Sequence, residues 1–271
     1  MSDTPNSEPA AQEDVQSDGE NRGNQDQFHS YSELAQFMAV AVGIALIVRM
    51  MIFQPFNIPS GSMRPTLLVG DFIYVSKTEY GYSRASLIWP LSRLPVHGRI
   101  LAGAPERGDV VVFKNKKDNN RDYIKRLIGM PGDEISIRGG TIMINDVAVQ
   151  RDYLGMVEAN CDDSQLRAVP VYRETLPNGV SYSVQECYGD EGLYDWRGPY
   201  RVPTGHYFMM GDNRDQSEDS RVEARVGTVP FGDFVGEAQR VVISVDGNRA
   251  KFWQFWKWPS AIRSSRTLRA L

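Results

Sequence analysis

A long apolar segment near the N-terminus constrains the fold of this chain more than any other feature. From Leu34 to Met63 the only charged residue is Arg49, and the run is apolar all round a helix rather than on one face. A helix of about 20 residues crosses the ~30 Å of hydrocarbon in a bilayer. Arg49 lies near enough to the end to reach the headgroups, and Gln54-Pro55 ends the helix. The pattern predicts one transmembrane helix, the predicted span, over residues 33–53.

Two other interpretations of this segment are weaker. A cleavable signal peptide has a basic start and a small-residue cleavage site after its apolar run, whereas here the start is acidic and Gln-Pro-Phe-Asn follows. A buried core helix would be apolar on one face only. The charges leave the orientation of the span open, because Arg22 on one side is matched by Arg49 near the other end.

Residues 1–32 have the composition of a disordered tail. They contain seven Asp or Glu against one Arg, are rich in Ser, Gln, Asn and Gly, and show no apolar period. Such a stretch cannot bury enough apolar surface to offset the entropy lost on folding. An acidic tail that binds a partner is the alternative.

Short apolar runs separated by turn residues follow the predicted span. They predict strands at 110–113, 123–128, 134–137, 141–144, 207–210 and 241–245. Residues 134–138 alternate between apolar and polar, and Gly139-Gly140 predicts a two-residue hairpin turn to the next strand. No amphipathic helix of useful length appears in this part of the sequence.

The body, residues 54–271, is therefore predicted to be mainly β. We expect a folded antiparallel sheet system that closes partly into a barrel. Residues from about 153 to 201 are polar and irregular in pattern and hold both cysteines, so they are interpreted as an insertion or a second lobe.

Composition excludes several kinds of chemistry. A net charge of −4 and a pI near 5.5 do not suit a nucleic-acid-binding protein. Three widely separated histidines and two cysteines offer no metal-ligand spacing, so no metal or other cofactor is predicted. Cys161 and Cys187 are either two free thiols or, in an oxidising compartment, one disulfide that closes a surface loop.

The C-terminal segment is aromatic and then basic. Phe252-Trp253, Phe255-Trp256 and Trp258 precede three arginines, at 263, 266 and 269. Aromatic rings beside cations suit a membrane interface. Alternatively, the rings close the core of the body and the basic residues are solvated.

Two segments carry polar residues that a plain β scaffold does not require. In Pro59-Ser60-Gly61-Ser62 two serines flank a glycine, so the backbone can turn sharply, although the same pattern occurs in ordinary turns. In a strand over 123–128, Lys125 shares a face with Tyr123 and Leu127. A lysine between two large apolar side chains is desolvated, which lowers its pKa and allows the neutral amine to accept a serine proton. A lysine whose amine reaches solvent is the alternative.

A third segment, residues 211–221, mixes acids, amides and serines with two arginines. It lacks the spacing and the terminal glutamate of an EF-hand calcium loop. The interleaved charges indicate a loop that holds its own shape through internal ion pairs. An ordinary polar loop is the alternative.

Together, and in this order, four motifs closely resemble those of the type I signal peptidases, a family of Ser–Lys proteases. They are Ser-Gly-Ser-Met-x-Pro-Thr-Leu at 60–67, Arg-Gly-Asp-Val-Val-Val-Phe at 107–113, Tyr-Ile-Lys-Arg at 123–126 with Gly-Met-Pro-Gly-Asp at 129–133, and Gly-Asp-Asn-Arg-Asp-x-Ser-x-Asp-Ser-Arg at 211–221. A Ser-His-Asp triad is disfavoured because none of these motifs contains a histidine.

The resemblance implies roles for individual residues. Ser62 is the nucleophile and Lys125 the general base, and the Ser62 N–H and the Ser60 hydroxyl form the oxyanion hole. Ser217 orients the lysine amine. A salt-bridged support beneath the site is implied for Asp219, Arg221 and Arg126, and shallow pockets for small substrate side chains are implied for Phe56, Ile58, Pro59, Leu67, Tyr123 and Ile124.

The resemblance also implies removal of signal peptides from exported preproteins at Ala-x-Ala-type sites. The tail would then lie in the cytoplasm and the body in the periplasm, beside the inner membrane and near the secretion translocon. A self-cleaving repressor-type protease would need a DNA-binding helix-turn-helix where the predicted span stands. A binding module that has kept only the fold would have lost Ser62 or Lys125, and both are present.

Overall fold

The computed structural model describes residues 31–44, 53–87, 98–161, 166–246 and 254–271. The chain divides into two compact units, residues 1–49 and 50–271. The first contains helix α1 (31–44), of which residues 33–44 belong to the predicted span and residues 31 and 32 to the predicted tail. Most of the predicted tail and residues 45–52 of the span lie outside the described residues, and strand already begins at Phe53. Within the described ranges no helix combines the length and hydropathy needed to cross a bilayer.

The second unit is built mainly from antiparallel strands, and its largest sheet has seven. Their order across the sheet is β1-β2-β14-β3-β4-β12-β13. The strands are β1 (Phe53–Asn57), β2 (Asp71–Ser76), β3 (Val110–Asn115), β4 (Arg121–Gly129), β12 (His206–Met210), β13 (Val229–Pro230) and β14 (Phe234–Ser244).

Two smaller sheets complete the β structure. One has the order β10-β9-β8 and the other the order β11-β5-β6-β7. Their strands are β5 (Glu134–Arg138), β6 (Thr141–Ile144), β7 (Val147–Ala148), β8 (Gln150–Asn160), β9 (Leu166–Thr175), β10 (Ser181–Gln185) and β11 (Trp196–Arg201). The described helical pieces of this unit are short 3-10 turns and one four-residue helix, α2 (Trp258–Ala261).

The prediction of a mainly antiparallel β body is confirmed. Every named strand pairing is antiparallel. Partial closure into a barrel is not found, because no described strand joins the two edges of the seven-stranded sheet, β1 and β13.

The hairpin between β5 and β6 forms as predicted. Arg138 pairs with Thr141, and the two residues between them, Gly139 and Gly140, have φ of 57° and 71°. A two-residue type I′ turn needs positive φ at both positions, which glycine adopts without steric strain. Two adjacent glycines between two strand patterns were therefore enough to predict the hairpin turn.

Residues 153–201, interpreted from their irregular pattern as an insertion or a second lobe, contain regular strands. Strands β8 and β9 pair along almost their whole length, and β10 extends the same sheet. The period of β8 is hidden in the sequence because Tyr153, Leu154, Met156 and Val157 are all exposed, at 41% to 60%. Cys161 and Cys187, which follow β8 and β10, form a disulfide.

The apolar core covers both faces of the seven-stranded sheet around β3. Val110 and Val112 belong to one buried cluster, whereas Val111 and Phe113 belong to another. A strand buried on both faces has a continuous apolar sequence, as these four residues do. Strand β4 pairs with β3, and its Ile124 packs against the first cluster whereas Leu127 belongs to the second.

Two arginines of the C-terminal segment, Arg263 and Arg266, contact Asp71 at the start of β2. Arg266 lies 2.6 Å from the fully buried carboxylate of Asp71 and also donates to the Thr66 carbonyl at 2.8 Å. The interpretation of this basic segment as solvated is therefore wrong for Arg266. Trp256 is 62% exposed and does not close the core, and residues 251–253 lie outside the described residues.

We expect Arg266→Ala to lower the free energy of unfolding by about 3 kcal/mol, because it leaves a buried carboxylate without its main cation. The matched control is Arg201→Ala, which removes an ion pair to Glu134 in which the arginine is 88% exposed. That variant should lose no more than about 1 kcal/mol. Urea unfolding measures both, and equal losses would contradict the assigned role of Arg266.

Candidate active site

Ser62 lies in the turn that connects β1 to β2. Its neighbour Met63 and the nearby Leu67 are 0% exposed, and the Leu67 N–H donates to the Met63 carbonyl at 2.8 Å. Ile58, on the other side of the turn, belongs to the same buried cluster. The turn is thus held by core packing before and after the serine, which fixes where the hydroxyl is presented.

Lys125 is supplied by β4, which lies between β3 and β12 in the sheet. The lysine is 4% exposed, and its Nζ lies 2.6 Å from Ser62 Oγ. The same Nζ lies 5.8 Å from the centre of the Tyr123 ring, on the face of the strand that the period of two predicts. Two residues 63 positions apart in the chain are therefore brought to hydrogen-bond distance.

The surroundings of Lys125 favour its neutral form. Burial lowers the pKa of the Lys125 amine from 10.5 to about 8. The carboxylate of Asp219 acts in the opposite direction, and the guanidinium of Arg221 adds to the lowering. A neutral amine at this distance from a hydroxyl can accept its proton, which is what general-base activation of a serine requires.

Two donors lie beside the Ser62 hydroxyl. The Ser60 hydroxyl is 3.4 Å from Ser62 Oγ, and Ser60 is exposed. The Ser62 N–H makes no hydrogen bond within the described part of the chain. A backbone N–H without a partner and a nearby hydroxyl are the kind of donors that a developing oxyanion needs.

Asp219 and Arg221 form the ion pair that the resemblance implies. Both arginine nitrogens Nε and Nη2 lie 2.9 Å from the carboxylate, which also accepts the Gly211 N–H at 3.0 Å. Burial opposes ionisation of Asp219, but the arginine and the backbone donor hold its pKa below the ordinary value. The loop over 211–221 is therefore closed on itself next to Lys125.

The resemblance implies that Arg126 joins this ion pair, but in the structure Arg126 binds a different carboxylate. Arg126 projects from the opposite face of β4 to Lys125 and binds Asp212 through two contacts of 2.9 and 2.7 Å. Its third nitrogen donates to the Gly108 carbonyl at 2.7 Å. The alternation of strand side chains separates it from the lysine face, so the support beneath the site consists of two ion pairs instead of one cluster.

The expected hydrogen bond from Ser217 to Lys125 is also not found. The Ser217 hydroxyl is buried and has no hydrogen-bond partner among the described residues. It lies against Gly211, since a Cβ at Gly211 would be 2.2 Å from Ser217 Oγ and 2.5 Å from the Ser62 carbonyl oxygen. Ser217 is therefore part of the site, but its role toward the lysine stays a prediction.

The predicted pocket residues separate into three groups. Ile58 and Leu67 are buried in one cluster, and Phe56 and Ile124 pack against it. Tyr123 packs in the cluster on the other face of β4. Pro59 is exposed beside Ser60. Two clefts of about 580 and 610 Å³ lie elsewhere and include neither Ser62 nor Lys125.

Asn213 was overlooked as a site residue. It is 0% exposed, its side-chain amide donates to the Gly61 carbonyl at 3.1 Å and its N–H donates to the Ser62 carbonyl at 3.0 Å. The motif at 211–221 contained the residue, but nothing in a linear sequence shows that it contacts Gly61, 152 residues earlier.

Within the described residues, one group of three acidic side chains lies close enough together to bind a metal ion. Carboxylate oxygens of Glu186, Asp195 and Asp215 lie within 4.8 Å of one another. Arg151 already binds Glu186 at 3.0 Å, and backbone amides bind the other two carboxylates at 2.6 and 2.7 Å. Burial, with Asp195 nearby, raises the pKa of Asp215 to about 6. The group is a buried charge network with an arginine in it, which does not favour a cation.

In the β body a buried lysine amine lies at hydrogen-bond distance from a serine hydroxyl. Over residues 31–243 the chain matches the family described as "Signal peptidase, peptidase S26". Because this match covers most of the chain, the protein belongs to that family.

Relatives and a solved structure carry the same name. "Signal peptidase I" of Rickettsia typhi is 42% identical over 218 residues, 78% of this chain and 80% of the relative. "Signal peptidase I" of Rickettsia prowazekii is 39% identical over 229 residues, 82% of this chain and 84% of the relative. A crystal structure of a signal peptidase I from Enterococcus faecalis V583 is 25% identical with a TM-score of 0.29, covering 49% of this chain and 96% of that one.

We expect kcat/KM to rise with pH and to reach half of its plateau near pH 8. The rate follows the fraction of Lys125 that is neutral, and burial places that transition at about 8 rather than 10.5. Initial rates on a peptide substrate between pH 6 and 10 measure it. A profile still rising at pH 10 would show an amine with the pKa of an exposed lysine.

We expect Gly211→Ala to reduce kcat by at least about 100-fold, because the new Cβ displaces the Ser62 backbone and a shift of about 1 Å at a catalytic group has an effect of that size. Gly232→Ala is the control, since nothing lies within 4 Å of a Cβ there and its φ is not in the left-handed region. Steady-state rates and a thermal melt of both variants make the comparison. Equal activities would mean that Gly211 does not need to be small.

Proposed function

We propose that the protein removes N-terminal signal peptides from exported preproteins, cutting after small residues at sites of the Ala-x-Ala type. The observation that carries the proposal is the 2.6 Å separation between Lys125 Nζ and Ser62 Oγ, with the lysine buried. Membership of the signal peptidase family supports the substrate class.

The proposed chemistry is acyl transfer through Ser62. Neutral Lys125 accepts the hydroxyl proton while Ser62 Oγ attacks the scissile carbonyl. The resulting ammonium returns the proton to the leaving amine, which departs as the new N-terminus of the mature protein. A water molecule then gives its proton to Lys125 and attacks the ester, and the proton returns to Ser62 Oγ as the signal peptide leaves.

The proposed oxyanion hole is formed by the Ser62 N–H and the Ser60 hydroxyl. Both donors flank the nucleophile, and the 3.4 Å separation of the two hydroxyls leaves the Ser60 side chain able to turn toward a carbonyl oxygen. Ser217 is proposed to orient the lysine, which requires a rotation of its unpartnered hydroxyl. Ion pairs at Asp219–Arg221 and Arg126–Asp212 hold the surrounding backbone.

The proposed specificity for small side chains follows from how the pocket residues pack. Ile58 and Leu67 are buried, and Phe56 and Ile124 pack against the same cluster. We propose that these partly buried side chains border shallow depressions for the substrate. Pro59 and Tyr123 would border them beside the dyad. A shallow apolar site accepts alanine-sized groups and excludes large ones.

We propose that the protein is anchored in the inner membrane by the helix predicted over residues 33–53, whose last residue, Phe53, already belongs to strand β1. Residues 1–32 would lie in the cytoplasm and residues 54–271 in the periplasm. The apolar side chains of α1 are exposed, with Phe37 at 70%, and the disulfide between Cys161 and Cys187 suits an oxidising compartment. Ser62 follows residue 53 by nine positions, roughly 30 Å of extended chain, which keeps it near the bilayer and the translocon.

We expect Ser62→Ala and Lys125→Ala each to abolish cleavage of a preprotein in detergent, because neither variant can form the acyl-enzyme. The control is Lys116→Ala, whose side chain is 65% exposed and which should cleave at the normal rate. Product N-termini, read by mass spectrometry, should begin directly after a small residue.

Folding of each variant is checked by circular dichroism, so that loss of activity is not loss of structure. Cleavage by a folded Ser62→Ala or Lys125→Ala protein would exclude the dyad. Cleavage after large residues would exclude the proposed specificity but leave the dyad intact.

A further inference from the structure

Asn213 holds both peptide groups that flank Ser62. Its side-chain amide donates to the Gly61 carbonyl at 3.1 Å, and its backbone N–H donates to the Ser62 carbonyl at 3.0 Å. The first carbonyl belongs to the peptide before the Ser62 Cα and the second to the peptide after it. One buried residue therefore contacts both peptides, and the Gly61 carbonyl also accepts the Arg64 N–H at 3.1 Å.

The hydrogen bond from Asn213 to the Gly61 carbonyl also affects the direction of the Ser62 N–H. In a trans peptide the carbonyl and the N–H point in opposite directions. Because Asn213 binds the Gly61 carbonyl on the buried side, the Ser62 N–H is directed to the other side, where it has no partner among the described residues. A hydrogen bond accepted by the carbonyl also polarises the same peptide and strengthens its N–H as a donor.

Asn213 is itself fixed from two directions. The preceding residue, Asp212, binds Arg126 at 2.7 Å, and its carbonyl accepts the Gln185 N–H at 3.0 Å. On the other side, the Gln216 side-chain oxygen accepts from the Asn213 amide at 3.2 Å, and the Gln216 N–H donates to the Asn213 carbonyl at 3.1 Å. The bond to Gln216 holds the Asn213 side-chain nitrogen in the orientation in which it also donates to the Gly61 carbonyl.

We propose that Asn213 is the positioning residue for the nucleophile: it holds the Gly61–Ser62 peptide so that the Ser62 N–H faces the oxyanion and Oγ faces Lys125. The inference rests on the proposed function and adds a residue to it. Asn213 does not touch the substrate, and it acts on the reaction only through the Ser62 backbone.

The test replaces the amide donor while keeping the volume. Asn213→Leu should lower kcat by roughly 10-fold to 100-fold, the range expected for a small misplacement of a catalytic group, with KM changed less than about threefold. The affinity of a peptide boronate, which forms a tetrahedral adduct with Ser62, should fall by the same factor as kcat/KM. The pH midpoint near 8 should not move, because the burial that sets the pKa of Lys125 is retained.

Asn115→Leu is the matched control, because it also removes a buried side-chain amide that donates to a backbone carbonyl, that of Arg225 at 3.1 Å. It should retain kcat within about threefold. Active-site concentration and a thermal melt normalise every rate to folded enzyme. If Asn213→Leu does not fold, Asn213→Asp keeps the shape and the backbone contact to Ser62, and its kcat is compared on the pH plateau.

Two outcomes separate this inference from the proposed function. A folded Asn213 variant with kcat and boronate affinity within about twofold of the parent overturns the positioning role, even if Ser62→Ala is inactive. An active Ser62→Ala protein overturns the function on which the role rests. A loss explained fully by fewer folded molecules also overturns the role, because it makes Asn213 a purely structural residue.

Discussion

The burial of the Lys125 amine against the Ser62 hydroxyl is the interaction on which the rest of the site depends. Removing the amine from water lowers its pKa to about 8, so a useful fraction is neutral at ordinary pH without any histidine. The same burial opposes folding. Because the folded pKa lies below the unfolded value of 10.5, the unfolded chain binds more protons between these two values, and the stability of the fold increases with pH across that interval.

The scaffold keeps this arrangement by joining two loops that are distant in the chain. The turn that carries Ser62 is packed into the core by Met63 on one side and is bonded by Asn213 on the other. The loop at 211–221 is closed by the Asp219–Arg221 pair, whose opposite charges have opposing effects on the lysine pKa. Burial is therefore the main cause of the lowered pKa of Lys125. The ion pair shapes the loop, and its two charges act on that pKa in opposite directions.

Patterns within short stretches of the sequence predicted the features that backbone geometry alone determines. The run Val110–Phe113, the Gly139-Gly140 turn and the shared face of Tyr123 and Lys125 each follow from backbone geometry, and the structure contains all three. Pairings between distant segments were not accessible in this way. The partner of Arg126 depends on which loop covers the second face of β4.

Other features depend on exposure, which sequence alone does not reveal. Strand β8 was missed because most of its apolar residues are exposed, and the pairing of Cys161 with Cys187 depends on the fold that brings the residues after β8 and β10 together across β9. The central claim, a neutral Lys125, is tested most directly by titrating its amine with ¹³C-methyl labelling and NMR. The account predicts a midpoint near pH 8, and a midpoint near 10.5 would contradict it.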